Sequence, residues 1–188
     1  MVWVRFSSFW IYPLLTGLLL FLSGTQRSQT SQLLVLILIG LAFWSLLEYL
    51  LHRYFFHWNP QNFRMRRIIH QLHFNHHKDP HHPHKILVHP FYSLPVSGML
   101  GWGFYLITGT LLAATGLLAG LWAGFLYYEW VHYRLHLGKK SRGLLKRQRR
   151  WHFYHHFVDP DHCFGVTSPL WDVVLGTWAS TDRLTPDP

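Results

Sequence analysis

Residues 33–57 read LLVLILIGLAFWSLLEYLLHRYFFH, and two features of this stretch set the reading of the rest. From Leu33 to Leu51 there are nineteen residues with one charge, Glu48. At 1.5 Å per residue a helix of that length measures ~28 Å, about one hydrocarbon thickness. The run then ends on His52 and His57, polar side chains at the point where such a helix would leave a bilayer. A span that delivers histidines to a membrane surface is the element from which the rest is read outward.

Other apolar stretches flank it. One runs from about Phe9 to Leu22 and contains Pro13. Between Phe91 and Tyr128 there is no charged residue at all, which is too long for one span. Two helices are expected there, roughly Tyr92–Ile107 and Leu111–Val131, turning near Thr108-Gly109-Thr110 because glycine permits a tight turn. Charged residues make up only 13% of the 188 and hydrophobic ones 49%, whereas a soluble domain carries about a quarter charged. Ten Trp, nine Tyr and fourteen Phe suit a protein with two membrane–water interfaces to line. Buried helices of a soluble core fit runs of this length poorly. The first stretch is short, and Arg5 before it with Ser23-Gly24 after it imitates a signal peptide; an uncleaved helix is expected. The single cysteine, Cys163, excludes an internal disulfide and gives no sign of an oxidising compartment.

Of seventeen Lys and Arg, only Arg27 falls in an expected outside loop. The positive-inside rule then puts both termini and every histidine in the cytosol, beside a bacterial inner membrane or an endoplasmic reticulum. The formal charge of +9 fits nucleic acid or anionic lipid; the apolar runs favour lipid, and nucleic acid is not an expected partner. The expected fold is all-α and integral to the membrane: four transmembrane helices in two hairpins, with a cytosolic helical cap, as a single domain over residues 1–188.

All sixteen histidines lie in two polar blocks, residues 52–89 and 132–162. Ten of them fall into four clusters with metal-ligand spacing: His52 and His57; His73, His76 and His77; His132 and His136; His152, His155 and His156. At about 100° per residue, positions i and i+4 of a helix lie about 40° apart and i and i+3 about 60° apart. His132 and His136 can therefore grip one ion. In each HxxHH triplet the last two histidines flank the first and can point to different ions, with the first between them. His52 and His57 are about 140° apart on a regular helix, so either the helix ends between them or the pair splits between metals. Ten imidazoles exceed what one ion accepts, and two ions are the simpler reading. Imidazole suits Fe, Zn, Cu and Ni alike, so spacing does not choose the metal.

Glu48 lies four residues before His52 and Glu129 three before His132. A carboxylate near the membrane boundary is costly unless partnered, and accepting the ring N–H of a metal-binding histidine would both partner it and orient the ring; an interfacial carboxylate reaching water fits as well. His70, His81, His82, His84, His89 and His162 are left outside the clusters, and the HHPH run at 81–84 reads as a loop. Ser168 can cap a short helix with Pro169 at its first position. Trp171 and Trp178 would then face lipid or an acyl tunnel, or simply pack at the interface. Residues 139–150 hold seven basic side chains and no acidic one. Lys146, Arg147, Arg149 and Arg150 are the candidates for docking either an acidic protein or anionic headgroups, the latter at ~1 kcal/mol per basic residue.

The four clusters, in this order and with these spans between them, resemble the fatty acid hydroxylase / sterol desaturase superfamily. The stretch Glu48–His57 and the stretch His73-Phe74-Asn75-His76-His77-Lys78 look most like its fatty acid 2-hydroxylase branch. Phe164-Gly165-Val166-Thr167-Ser168-Pro169-Leu170-Trp171-Asp172, running on to Gly176-Thr177, is similar to the signature that closes the domain. The resemblance covers about residues 35–180. It implies a non-haem di-iron site that activates O2 and hydroxylates a lipid acyl chain, typically at carbon 2, with His52, His57, His73, His76, His77, His132, His136, His152, His155 and His156 as ligands to two iron ions; zinc can take the same donors in isolated protein. It also implies two electrons from a separate cytochrome b5- or ferredoxin-like donor, because only a few residues precede the first span and a fused cytochrome b5 domain is not expected here. A sterol or carotenoid hydroxylase or a desaturase of the same superfamily is the nearest alternative. A histidine-rich transporter or metal store is the alternative from another class, but transport calls for ionisable residues along the spans, and these hold almost none.

Overall fold

In lipid every backbone N–H and C=O must be bonded within the segment, which leaves the helix as the solution for isolated apolar runs. The structure, a computed structural model, describes residues 6–24 and 27–179, so Arg5 and Thr185–Pro188 lie outside it. Among the described residues it is all-helical. Helix α1 spans Ser8–Leu22. Helix α2 spans Thr30–Leu50 and continues without a break into a π-helical turn, Leu51–Phe56. Helix α3 (Phe63–Ile69), a second π-turn (His70–Phe74) and α4 (Asn75–Lys78) follow one another directly. Then come α5 (Pro83–Ile86), α6 (Pro90–Thr108), α7 (Leu111–Leu137), α8 (Gly143–Phe157) and α9 (Leu170–Val174).

The expected turn at 108–110 is present: Gly109 takes φ 69°, the left-handed cap that glycine adopts without strain. The expected fourth helix runs beyond Val131 to Leu137, because nothing breaks the pattern before Gly138, and it carries His132 and His136 on its own last turns. The HHPH run is a loop only in its first half: His81 and His82 lie in a turn, and a short helix begins at Pro83. Pro83 sits at its first position, and the His82 ring Nδ1 accepts the His84 N–H at 3.3 Å. Pro169, not Ser168, occupies the N-cap position of α9, while the Ser168 hydroxyl accepts the Leu170 N–H at 3.2 Å. Among the described residues, two helical stretches are long and apolar enough to cross a membrane: Thr30–Phe56, with mean hydropathy 2.3, and Leu111–Leu137, with 1.5. Helix α1 has fifteen residues, and α6 is diluted by Pro95 and three glycines.

The chain divides into two compact units. The first takes Met1–Ser45 and Val88–Tyr127. Here α2 and α7 approach through small residues. A Cβ on Gly120 would sit 2.0 Å from the Ile37 carbonyl oxygen, one on Gly40 2.1 Å from that of Leu117, and one on Gly116 2.7 Å from the Leu36 Cβ. Close backbone approach through small residues is how helices associate where lipid offers no hydrophobic drive. Tyr12 of α1 is fully buried on Trp122 and Phe125, at ring distances of 5.2 and 5.4 Å, and its hydroxyl donates to Ser93 at 2.8 Å. The outside of this unit is apolar: Trp10, Leu14, Phe21, Leu38, Met99 and Ile107 are each more than half exposed. Soluble proteins rarely expose apolar surface on this scale, and the surface is that of a membrane-associated protein. An apolar groove of about 750 Å³ opens between α1, α6 and α7, lined among others by Leu15, Leu94, Gly98, Trp102, Leu118 and Trp122.

The second unit takes Leu46–Leu87 and Tyr128–Pro188 and contains every residue of the four histidine clusters. The Asn62 side chain caps α3 by accepting the N–H groups of Arg64 and Met65, at 3.0 and 3.1 Å.

Candidate metal centre

All ten clustered histidines meet in this second unit, as two groups of five. His52, His57, His73, His77 and His155 form one, and His76, His132, His136, His152 and His156 the other; within each, one ring nitrogen per residue lies within 4.8 Å of all the rest. In the first group Nε2–Nε2 separations are 3.1 Å for His52–His73, 3.1 Å for His57–His73, 3.0 Å for His57–His155 and 2.8 Å for His73–His77. In the second they are 3.1 Å for His76–His156, 2.9 Å for His76–His132 and 2.8 Å for His136–His152.

These separations can be read as coordination geometry. Two nitrogens each ~2.1 Å from one ion lie ~3.0 Å apart at a right angle and ~3.4 Å apart at a tetrahedral angle. The observed spacings match right angles, and five such donors around one centre leave a sixth position open. That is the donor set of an octahedral transition-metal site with room for a small ligand; a closed structural zinc site takes four donors. The residues present fit a pair of metal ions.

Local backbone decides how each histidine reaches its group. His52 and His57, too far apart on an α-helix, are separated by the expected helix end, which falls at Phe56 with His57 as the cap, and they are not split between groups. The π-turn Leu51–Phe56 widens the helix, and i→i+5 bonding brings residues five apart to one side, so both join one group. Each HxxHH triplet divides between the groups, with the last two histidines apart as expected. The first does not sit between. His73 sides with His77, and His152 with His156, each an i,i+4 pair on one face, while His76 and His155 cross to the opposite group. Each group thus holds an i,i+4 pair from one triplet and a single histidine from the other.

The groups are dry. His52, His73, His76, His132, His136, His152 and His155 are each at most 3% exposed. Burial, which disfavours the imidazolium, lowers the rings outside the apolar helices: His57 to about 4, His77 to about 3, and His73, His76, His152, His155 and His156 well below the usual value. At neutral pH these rings are uncharged, the form that binds metal.

Some of the residues that build the site were not singled out from sequence. The Nδ1 of His52 donates to the Phe164 carbonyl, and that of His155 to the His162 carbonyl at 2.9 Å. The loop offering these carbonyls is pinned by two buried carboxylates. Asp172, fully buried, accepts the N–H groups of Phe164 and Gly165, each at 2.8 Å, and the Thr177 hydroxyl at 2.7 Å. Glu48 accepts the N–H groups of Val166 and Thr167, each at 2.8 Å, and the Thr167 hydroxyl at 2.6 Å. Glu48, considered from sequence as a partner of histidine rings, is thus bonded to loop backbone; Glu129 is fully buried. Asp172 stood in the quoted C-terminal stretch, and an acid within an apolar segment was the signal available.

Of the four basic docking candidates, Lys146, Arg147 and Arg150 are exposed. Arg149 is half-buried, donates to the Gly138 carbonyl at 3.3 Å and lies 5.0 Å over the Phe153 ring, so it braces the turn after α7. The other six histidines stay outside both groups. His89 caps α6 through the Phe91 N–H, and His162 pairs with Asp159 at 2.8 Å. Trp178 packs edge-on against Trp151 at 5.9 Å.

The fold and the two five-histidine groups define a membrane-associated helical protein with two all-imidazole groups that could hold metal ions. Residues 37–177 match the model of the fatty acid hydroxylase family, and the chain belongs to that family of oxidoreductases. It is 30% identical over 176 residues to the dihydroceramide fatty acyl 2-hydroxylase FAH2 of Arabidopsis thaliana, covering 94% of this chain and 73% of that one. It is 33% identical over 148 residues to the fatty acid 2-hydroxylase of Homo sapiens, where 76% of this chain spans 39% of the human protein. Among solved structures, full-length scs7p, with only its hydroxylase domain visible, superposes with a TM-score of 0.82 at 24% identity, over 98% of this chain and 68% of that one.

Proposed function

We propose that this chain is a membrane-bound oxygenase that hydroxylates a lipid acyl chain at carbon 2. The observation that carries the reading is the pair of five-nitrogen groups with right-angle spacing, in a chain whose family and similar proteins are acyl hydroxylases. Two irons are the ions proposed. One would be held by His52, His57, His73, His77 and His155, the other by His76, His132, His136, His152 and His156. When bound, such a pair supplies the reduction of O2 that an unactivated C–H bond requires. One oxygen atom enters the C–H bond and the other leaves as water, with two electrons and two protons from outside.

The chain's own residues do the rest. Burial of the imidazoles keeps bulk water from the reacting region and keeps the rings neutral at neutral pH. The apolar groove of the first unit, about 750 Å³, suits a hydrocarbon substrate. The electrons come from a separate cytochrome b5- or ferredoxin-like donor, with Lys146, Arg147 and Arg150 as the exposed basic side chains available to an acidic face. Four transmembrane helices in two hairpins, with a cytosolic cap and residues 35–180 as the catalytic core, are the topology proposed. A protease-sensitive tag at either terminus should then be protected in intact cells.

The deciding experiment is expression in a host without 2-hydroxylated lipids, under ¹⁸O2. Acyl chains carrying ¹⁸O at carbon 2 are expected. Hydroxylated sterol or carotenoid with untouched acyl chains would refute the substrate class.

A further inference from the structure

Both metal groups hold five imidazoles, but the protein supports them unequally. In the His52 group, two rings are backed by main-chain carbonyls, His52 by Phe164 and His155 by His162. A carbonyl can only accept, so the proton sits on Nδ1 in both rings and the Nε2 lone pair is left facing the metal position. In the other group, His132 alone meets a main-chain carbonyl, that of Ile86, and the Nδ1 atoms of His76, His136, His152 and His156 are buried with no hydrogen-bond partner among the described residues.

The Phe164 and His162 carbonyls belong to one built loop. Its backbone turns through Cys163 at φ 59°, a left-handed conformation that a residue with a Cβ holds only when its surroundings impose it. Those surroundings are a chain of bonds. The Cys163 N–H donates to the Thr177 carbonyl at 2.9 Å, and Asp172 holds the next two N–H groups. Arg53 donates to the Tyr49 hydroxyl at 2.7 Å, Tyr49 meets the Thr177 hydroxyl at 2.9 Å, and Thr177 donates to Asp172 at 2.7 Å. At Gly165, a Cβ would lie 2.1 Å from the Ser168 carbonyl oxygen and 2.8 Å from Asp172 Oδ2, so the loop closes around that carboxylate at a point where only glycine fits.

We infer that the two metal positions are unequal, the His52 group being the tighter, and that Asp172 is a positioning residue which sets this difference by holding the Phe164 and His162 carbonyls behind His52 and His155. The inference rests on the proposed metal centre. Asp172 touches no metal position; it acts through the loop. Outer hydrogen-bond partners of metal-binding histidines are worth 10–100-fold in affinity, which is the expected ratio between the two positions.

The test is zinc release from the purified full-length chain in detergent, titrated with a competing chelator. Wild type should lose its two ions in separate steps, about 10–100-fold apart in chelator strength. His156→Ala should remove the weak step and His57→Ala the tight one. Asp172→Asn places an NH2 group against a backbone N–H; it should weaken the tight step about 10–100-fold and leave the weak step where it was. A merely structural role would shift both steps together. If Asp172→Asn does not fold, Thr177→Val withdraws one of its three donors and should give the same selective shift in smaller size. Two ions released together from wild type, or a tight step that survives His57→Ala and vanishes in His156→Ala, overturns the inference alone. A chain that takes up no metal overturns the proposed centre and the inference with it.

Discussion

Lowering the pH of the metal-free protein from 7.5 to 5.5 should destabilise it steeply, because the buried imidazoles must stay uncharged while the fold lasts. His57 titrates at about 4 and His77 at about 3 in the folded chain, both lowered first by burial. In the unfolded chain each reverts to the ordinary value, near 6.5. The unfolded state therefore binds more protons throughout this window, and stability falls as pH falls. The stabilising contribution is fully present above pH 6.5 and is lost as pH drops toward about 4 for His57 and about 3 for His77. Between pH 7.5 and 5.5, protonation at 6.5 favours the unfolded state tenfold per histidine, about 1.4 kcal/mol, while the folded rings stay neutral. His57 and His77 together give about 3 kcal/mol on this basis. His73, His76, His152, His155 and His156 are shifted in the same direction by the same cause, so the total becomes comparable with the stability of an ordinary domain. Bound metal holds the neutral rings and should flatten the curve. The measurement is thermal unfolding of chelator-stripped protein in neutral detergent at pH 7.5, 6.5 and 5.5, with His57→Gln and His77→Gln each reducing the drop by about 1.4 kcal/mol. A metal-free melting temperature that does not move over this range would refute the burial argument.

Replacing His76 or His155 by Ala should lower metal content and abolish hydroxylation, whereas His82→Ala, at an exposed helix cap outside both groups, should keep both; metal analysis beside product assay decides. Gly120→Ala puts a Cβ 2.0 Å from a backbone oxygen that has no side-chain freedom to yield. A loss of about 1–3 kcal/mol or more is expected from such overpacking, read as a lower melting temperature or failed expression; unchanged stability would mean that α2 and α7 do not meet there. Reversing Lys146, Arg147 and Arg150 to Glu should slow donor-driven turnover in neutral detergent. A salt-independent, unchanged rate would leave those side chains to anionic lipid.

The apolar helices and the four histidine clusters were legible in the sequence because both depend on local chemistry. A run such as Leu33–Leu51 must become a helix wherever it meets lipid, and the 108–110 turn follows from glycine alone. That ten imidazoles exceed what one ion accepts followed from their number. Which histidine joins which group of five did not. The α-helical wheel separates His52 from His57; the π-turn that reunites them depends on where the chain runs after Phe56, and spacing does not encode it. The crossing of His76 and His155 is likewise a property of two helices facing each other. The glycine spacing at 116, 120 and 124 is visible in the sequence, but only the helix opposite shows which backbone it admits. Glu48 was noticed for its place beside His52, and Asp172 stood unremarked in a quoted stretch. Their partners, the N–H groups of residues 164–167, are brought to them by tertiary structure. A buried carboxylate must find donors, but a sequence does not say whose they are.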